Sequence, residues 1–174
     1  MESPRGLHIR KPGNYNRGTF KLTVILAIEA GDPEIPDGVI GSVTNPRVWA
    51  RVTTEAGTSA MAYRLFVEHV LNTYDAVANP ALHRTLIHDN LSLHRAPEVY
   101  EAVRESGHRV VCRPPYRPQD GPVEYAINQV CVQLNKRWTE ARDLESMRTV
   151  VEDIIENNIN NVDETFFHCG YIWN

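Results

Sequence analysis

The feature that most constrains the fold is an alternation of short apolar segments with helix-like segments. Arg84–Asp89 is a short apolar run that ends in polar residues, which predicts a strand. Pro97–Glu105 predicts a helix, because proline stands in its first turn and Gly107 follows just beyond its end. Arg109–Cys112 predicts another strand. This order is typical of a parallel β-α-β unit, so the sequence predicts an α/β fold with a sheet covered by helices.

The segment upstream of this unit predicts a hairpin and a helix. Thr19–Ile28 is rich in β-branched residues and is followed by a turn at Gly31, which predicts a strand. A second strand near Val39–Thr44 would complete the hairpin. Thr58 can cap a helix. The apolar face expected for that helix consists of Ala62, Leu65, Phe66 and Val70.

The segment downstream predicts two further helices. Pro122 can begin the first of them with Asp120 as its cap, and Glu124 lies in its first turn. Its apolar stripe is Val123, Ile127, Val130, Leu134 and Trp138. The second helix runs from Asp143 to about Asn158, with an apolar face of Leu144, Met147, Val151, Ile154 and Ile155. We expect the aromatic tail at 166–171 to pack against the rest of the chain.

Length and composition indicate one globular domain. The chain has 174 residues, of which 42% are hydrophobic and 23% charged, close to the averages for globular proteins. The longest apolar run, Val24–Ile28, is far shorter than the roughly 20 residues of a membrane-spanning helix. The basic start of the chain has no apolar centre, so no secretory signal is predicted and an intracellular location is expected. The 3 cysteines are widely spaced, which favours free thiols over disulfides or a zinc site.

The charge is unevenly distributed along the chain. The formal net charge is −4, which is unusual for a protein that binds DNA unaided. The first 21 residues are nevertheless basic, whereas the segment Glu140–Glu164 is acidic. The basic residues are Arg5, Arg10, Lys11, Arg17 and Lys21. This end could contact a phosphate backbone, or it could be a solvated arm.

Two carboxylates stand where a divalent metal ion could be held. Asp89 follows a predicted parallel strand and Glu124 begins a later helix, and parallel sheets bind ligands beyond the carboxyl ends of their strands. Mg²⁺ prefers oxygen ligands, and pairs of such ions support phosphodiester chemistry. The alternative for Asp89 is a turn or cap residue. Asn90 could position a water or a phosphate oxygen, or cap a backbone group.

The residues around these carboxylates form a recognisable pattern. It consists of Asp89, Asn90 and His94, then Pro114, Pro115, Tyr116 and Pro118, then Pro122, Val123 and Glu124. This pattern resembles the catalytic core of the mariner-type DDE transposases, which belong with retroviral integrases to the RNase H-like group. The resemblance covers roughly residues 17–171. It implies a mixed sheet flanked by helices, with Asp89 and Glu124 as ligands of Mg²⁺ or Mn²⁺, His94 beside them, and DNA as the partner.

The chain also departs from the family pattern. Arg117 and Gly121 stand where the family usually has serine and asparagine. A complete member has a further catalytic aspartate on the first, central strand of the sheet, ahead of the segment that Thr19–Ile28 resembles. We therefore expect a basic arm at 1–18 and an incomplete catalytic domain at 19–174 that lacks the central strand.

An incomplete site leads to a specific functional expectation. We expect a remnant of a DDE transposase catalytic domain that is weakly active or inactive alone, located in the nucleus. His94 could belong to this site or make an ordinary hydrogen bond at a helix entry. The alternative function is a non-catalytic module that binds DNA or a partner, as a homodimer or with a full-length transposase. A further alternative is that another polypeptide supplies the first strand and its aspartate.

Overall fold

The protein is represented by a computed structural model, which describes residues 21–31, 47–55, 57–74, 76–77, 83–114 and 117–171. The strands are β1 (Thr23–Glu29), β2 (Arg47–Thr53), β3 (Thr85–His88) and β4 (Arg109–Cys112). The helices are α1 (Ala60–Leu71), α2 (Pro97–Glu105), α3 (Pro122–Lys136), α4 (Leu144–Asn158) and α5 (Val162–His168). Within these described ranges, every helix is too short or too polar to span a lipid bilayer.

The described strands form two separate pairs. β1 pairs with β2 antiparallel, with Leu26 opposite Ala50. β3 pairs with β4 in parallel, with Leu86 opposite Val110, and α2 connects them. The predicted parallel β-α-β unit is therefore confirmed.

Helices cover both faces of β1, because successive side chains of a strand point to opposite sides. Val24 and Leu26 pack against a core built mainly by α3 and α4. Ile25, between them, packs instead against a second core built by α1 and α2. Leu86 of β3 and Val110 of β4 pack against this second core as well, so α1 and α2 cover part of both sheets.

An ion pair connects the end of β1 with the start of β3. Arg84, just before β3, makes an ion pair of 2.9 Å with Glu29, the last residue of β1. The end of β1 thus lies beside the start of β3. These two strands are not hydrogen-bonded to each other, and no strand in the described part of the chain joins the two sheets.

The hairpin differs from its prediction. The strand predicted near Val39–Thr44 lies outside the described residues, and β1 pairs with Arg47–Thr53, which the sequence did not predict. Val48 and Val52 of β2 face the α3–α4 core. The same strand contains Arg47 and Arg51, which alternate with these apolar residues.

Helix boundaries and faces also required correction. Ser59, rather than Thr58, caps α1, and Leu65 on the predicted apolar face is 50% exposed. Gly121, rather than Asp120, precedes α3, and it offers no side-chain cap. Asp143 does cap α4, in a reciprocal pair of hydrogen bonds with Ser146. The aromatic tail begins in α5, which was not predicted as a helix.

Candidate functional site

Asp89 lies directly after β3, at the carboxyl end of the parallel pair, as predicted. Its Oδ1 accepts hydrogen bonds from the backbone N–H of Leu91 at 3.0 Å and from Nδ1 of His94 at 2.6 Å. Because an ionised carboxylate only accepts hydrogen bonds, the His94 Nδ1 carries the proton. Both of these hydrogen bonds go to Oδ1.

His94 is fixed by its neighbours as well as by Asp89. Its ring stacks on Tyr63 of α1, with 4.1 Å between ring centroids, and meets the ring of His88 edge-on. His94 lies in the turn before α2, so it is both a helix-entry residue and a partner of the carboxylate. The structure thus brings Asp89 and His94 into direct contact.

The ionisation of this cluster follows from its contacts. The hydrogen bond from His94 is the main cause that holds the pKa of Asp89 below its ordinary value. The N–H of Leu91 and the charge of Arg113 act in the same direction, and burial opposes them. Burial, followed by the nearby His94, lowers the pKa of His88. Asp89 is therefore a carboxylate, and His88 a neutral imidazole, at neutral pH.

The ends of β3 and β4 are tied together through Arg113. The backbone N–H of Arg113 donates to the carbonyl of His88 at 2.8 Å. The side-chain amide of Asn90 donates to the carbonyl of Arg113. Asn90 therefore satisfies a backbone group, which is one of the two roles considered for it.

Glu124 lies in the first turn of α3, which begins at Pro122. A carboxylate is favourable there because it faces the unpaired N–H groups at the start of the helix. Its Oε1 is 3.9 Å from a terminal nitrogen of Arg113, and its side chain is 43% exposed. Among the described residues, no ion pair joins Glu124 to His94, and the charge of Arg113 acts on both Asp89 and Glu124.

Gly121 and Arg113 fit closely together. The Arg113 side chain is only 9% exposed, and its guanidinium lies over Gly121. A Cβ atom on Gly121 would be 1.9 Å from one terminal nitrogen of Arg113. The guanidinium can occupy this position only because residue 121 has no side chain.

The residues present do not fit a metal ion as they are arranged. Two carboxylates have the oxygen chemistry that Mg²⁺ prefers. However, no group of three His, Cys, Asp or Glu side chains that could hold a metal occurs within the described ranges. The Arg113 guanidinium also lies 3.9 Å from Glu124 Oε1, and its positive charge opposes the approach of a cation to that carboxylate.

Comparisons with known proteins identify the family. The family described as DDE superfamily endonuclease matches residues 38–148, which is well over half of the chain and includes Asp89 and Glu124. The chain belongs to this family. The predicted DDE family is thereby confirmed. No curated protein gave a significant match to this DDE chain.

Similarity to a solved structure confirms the predicted RNase H-like fold of this DDE chain. A chain of the simian T-cell lymphotropic virus intasome in complex with PP2A regulatory subunit B56 gamma aligns with a TM-score of 0.55 at 15% identity, over 92% of this chain and 55% of that chain. The BIV integrase catalytic core domain gives 0.47 at 18% identity, over 71% and 80%. The Mos1 mariner paired end complex with Mn gives 0.40 at 12% identity, over 88% and 56%. The chain thus spans about half of the intasome and Mos1 chains.

Sequence reasoning missed Arg113 as a site residue. It ends an otherwise apolar strand segment, immediately before Pro114, and a charge at the carboxyl end of a parallel strand was the available signal. Tyr63 was also missed, because its position on α1 gives no indication of a histidine stacked on it. Neither residue belongs to the motif that carried the family resemblance.

Proposed function

We propose that the chain is the catalytic-domain part of a DDE-type transposase that cleaves DNA weakly or not at all by itself. The domain would comprise residues 19–174, preceded by a basic arm at 1–18. Its site residues are Asp89 and Glu124, the metal-binding positions in intact relatives, with His94 holding Asp89. DNA is its proposed partner and the nucleus its proposed location.

The observation that carries the proposal is the charge around the carboxylates of Asp89 and Glu124. Asp89 follows β3 and Glu124 lies in the first turn of α3, both within the family match, and the positive charge of Arg113 acts on both carboxylates. DNA cleavage of this type depends on cations that activate the attacking oxygen and stabilise the leaving one. Two carboxylates with the guanidinium of Arg113 near them carry too little negative charge to hold such cations.

A nicking assay on the full chain tests this proposal. Supercoiled plasmid is incubated with the purified protein and either Mg²⁺ or Mn²⁺, and the open-circular product is quantified on a gel. We expect no more product than with Asp89→Ala or Glu124→Gln. Robust nicking that disappears in Asp89→Ala would contradict the proposal.

A second candidate function is a non-catalytic module that binds DNA or a transposase chain. Two observations favour it: the basic residues within 1–21, and the strands β1 and β3, which are not paired with each other. Unpaired strand edges are templates for pairing with another chain. Such a module could form a homodimer or associate with a full-length transposase. Sedimentation of the chain alone and mixed with a full-length DDE transposase would distinguish these states.

A further inference from the structure

The side chain of Arg113 has an unusual environment for an arginine. It is 9% exposed, although a buried cation is costly unless nearby anions compensate it. Within the described part of the chain, one terminal nitrogen is 3.5 Å from the carbonyl of Arg117, and another is 3.9 Å from Glu124 Oε1. Among the described residues, Glu124 is the carboxylate that forms an ion pair with this charge.

Gly121 permits this arrangement, and its backbone conformation does not explain why the residue is a glycine. Its φ of −107° and ψ of 105° are accessible to any residue, so no turn or left-handed conformation requires glycine there. The three atoms nearest to a Cβ at this position would be Nη1, Cζ and Nη2 of Arg113, at 1.9, 2.5 and 2.9 Å. All three belong to the guanidinium, so this group occupies space that a side chain at position 121 would need.

We propose that the guanidinium of Arg113, which lies over Gly121, supplies at Asp89 and Glu124 the positive charge that a divalent metal ion would otherwise supply. The chain then has low affinity for divalent ions, because binding one would bring like charges together in a half-buried site. This inference rests on the proposed function only in taking these two carboxylates as the metal positions.

Binding of Mn²⁺, measured by the loss of its free-ion electron paramagnetic resonance signal, tests the proposal without any DNA reaction. Arg113→Gln removes the repelling charge. Gly121→Ala keeps the charge, but its methyl group takes the position that the guanidinium now occupies. We expect each variant to bind Mn²⁺ at least about tenfold more tightly than the wild type, since one charge at such distances shifts an ionic equilibrium by that order. Adding Asp89→Ala to either variant should remove the gain.

Arg117→Gln is the matched control. Arg117 lies in the same loop, but its side chain is 64% exposed and pairs with Asp120. Removing its charge should leave Mn²⁺ binding at the wild-type level. If Arg113→Gln does not fold, as judged by circular dichroism, Gly121→Ala alone decides the outcome.

Two results would overturn the inference. One is wild-type Mn²⁺ affinity equal to that of the folded variants, and the other is a gain that persists when Asp89 is replaced. Either result leaves the nicking assay unaffected as a test of the proposed function. Conversely, robust wild-type nicking that disappears in Asp89→Ala would contradict that function, whereas Mn²⁺ binding by the variants would still test the role of Arg113.

Discussion

His108, outside the candidate site, shows at the scale of one residue how a buried histidine joins three elements. It is 6% exposed and lies between α2 and β4. Its Nδ1 accepts the backbone N–H of Arg84 at 3.0 Å, so Nε2 carries the proton and donates to the carbonyl of Leu71 at 3.2 Å. Both nitrogens are satisfied only in the neutral ring. Burial is the main cause that lowers the pKa of His108.

This geometry predicts that His108 makes folding pH-dependent. Above the ordinary histidine pKa of about 6.5 the ring is neutral in both the folded and unfolded states. As the pH falls below that value, the unfolded chain takes up the proton first, because the folded-state pKa is lower. The contribution of His108 to the free energy of unfolding is therefore present above this pH and lost as the pH falls through the folded-state pKa. Urea unfolding over this range measures it.

His108→Gln provides the comparison, since glutamine does not titrate. We expect the difference in unfolding free energy between wild type and variant to shrink on acidification. His88 also has a lowered pKa, but it is present in both proteins and its effect cancels. A difference that stays constant or grows in acid would contradict the neutral-ring assignment.

At the scale of elements, local signals predicted the β-α-β unit well. α2 has the predicted bounds because proline and glycine mark its two ends, and β4 has them because an apolar run is bounded by polar residues. β2 was missed because Arg47 and Arg51 interrupt its apolar residues, although the period-2 pattern is present. α5 was missed because a seven-residue helix is too short to show a periodicity.

The candidate site was predictable only where neighbours in sequence create it. Asp89 and His94 are five residues apart, and the turn between them brings their side chains together. The position of Arg113, by contrast, depends on its own side chain reaching the start of α3, where Gly121 leaves room for the guanidinium. That arrangement is tertiary, so no local pattern reports it.

The helix α3 carries Glu124 at one end and part of the main core along its length. Leu134 is 1% exposed and packs with α4 residues, whereas Val132 on the same helix is 44% exposed. We expect Leu134→Ala to lower the free energy of unfolding by about 2–5 kcal/mol, because it leaves a cavity. Val132→Ala should change it by less than about 0.5 kcal/mol. Denaturant unfolding measures both, and equal losses would show that α3 is not packed as described.

At the scale of the whole molecule, charge distribution decides between a DNA-binding module and a solvated arm. A net charge of −4 opposes binding to a phosphate backbone, so any affinity must come from a local basic region. The basic residues near the start of the chain form such a region in sequence. Contacts to phosphates release counterions, and the affinity then falls steeply with salt.

Neutralising the arm should flatten this salt dependence. The full chain with Arg10→Gln, Lys11→Gln and Arg17→Gln loses three of its positive charges. If all three contact phosphates, the slope of log affinity against log salt should fall by about 2.7, which fluorescence anisotropy with labelled duplex DNA measures. The control removes three exposed arginines elsewhere, namely Arg51, Arg104 and Arg109. Equal flattening by both sets would assign the effect to net charge alone, and the arm would then be a solvated segment rather than a DNA contact.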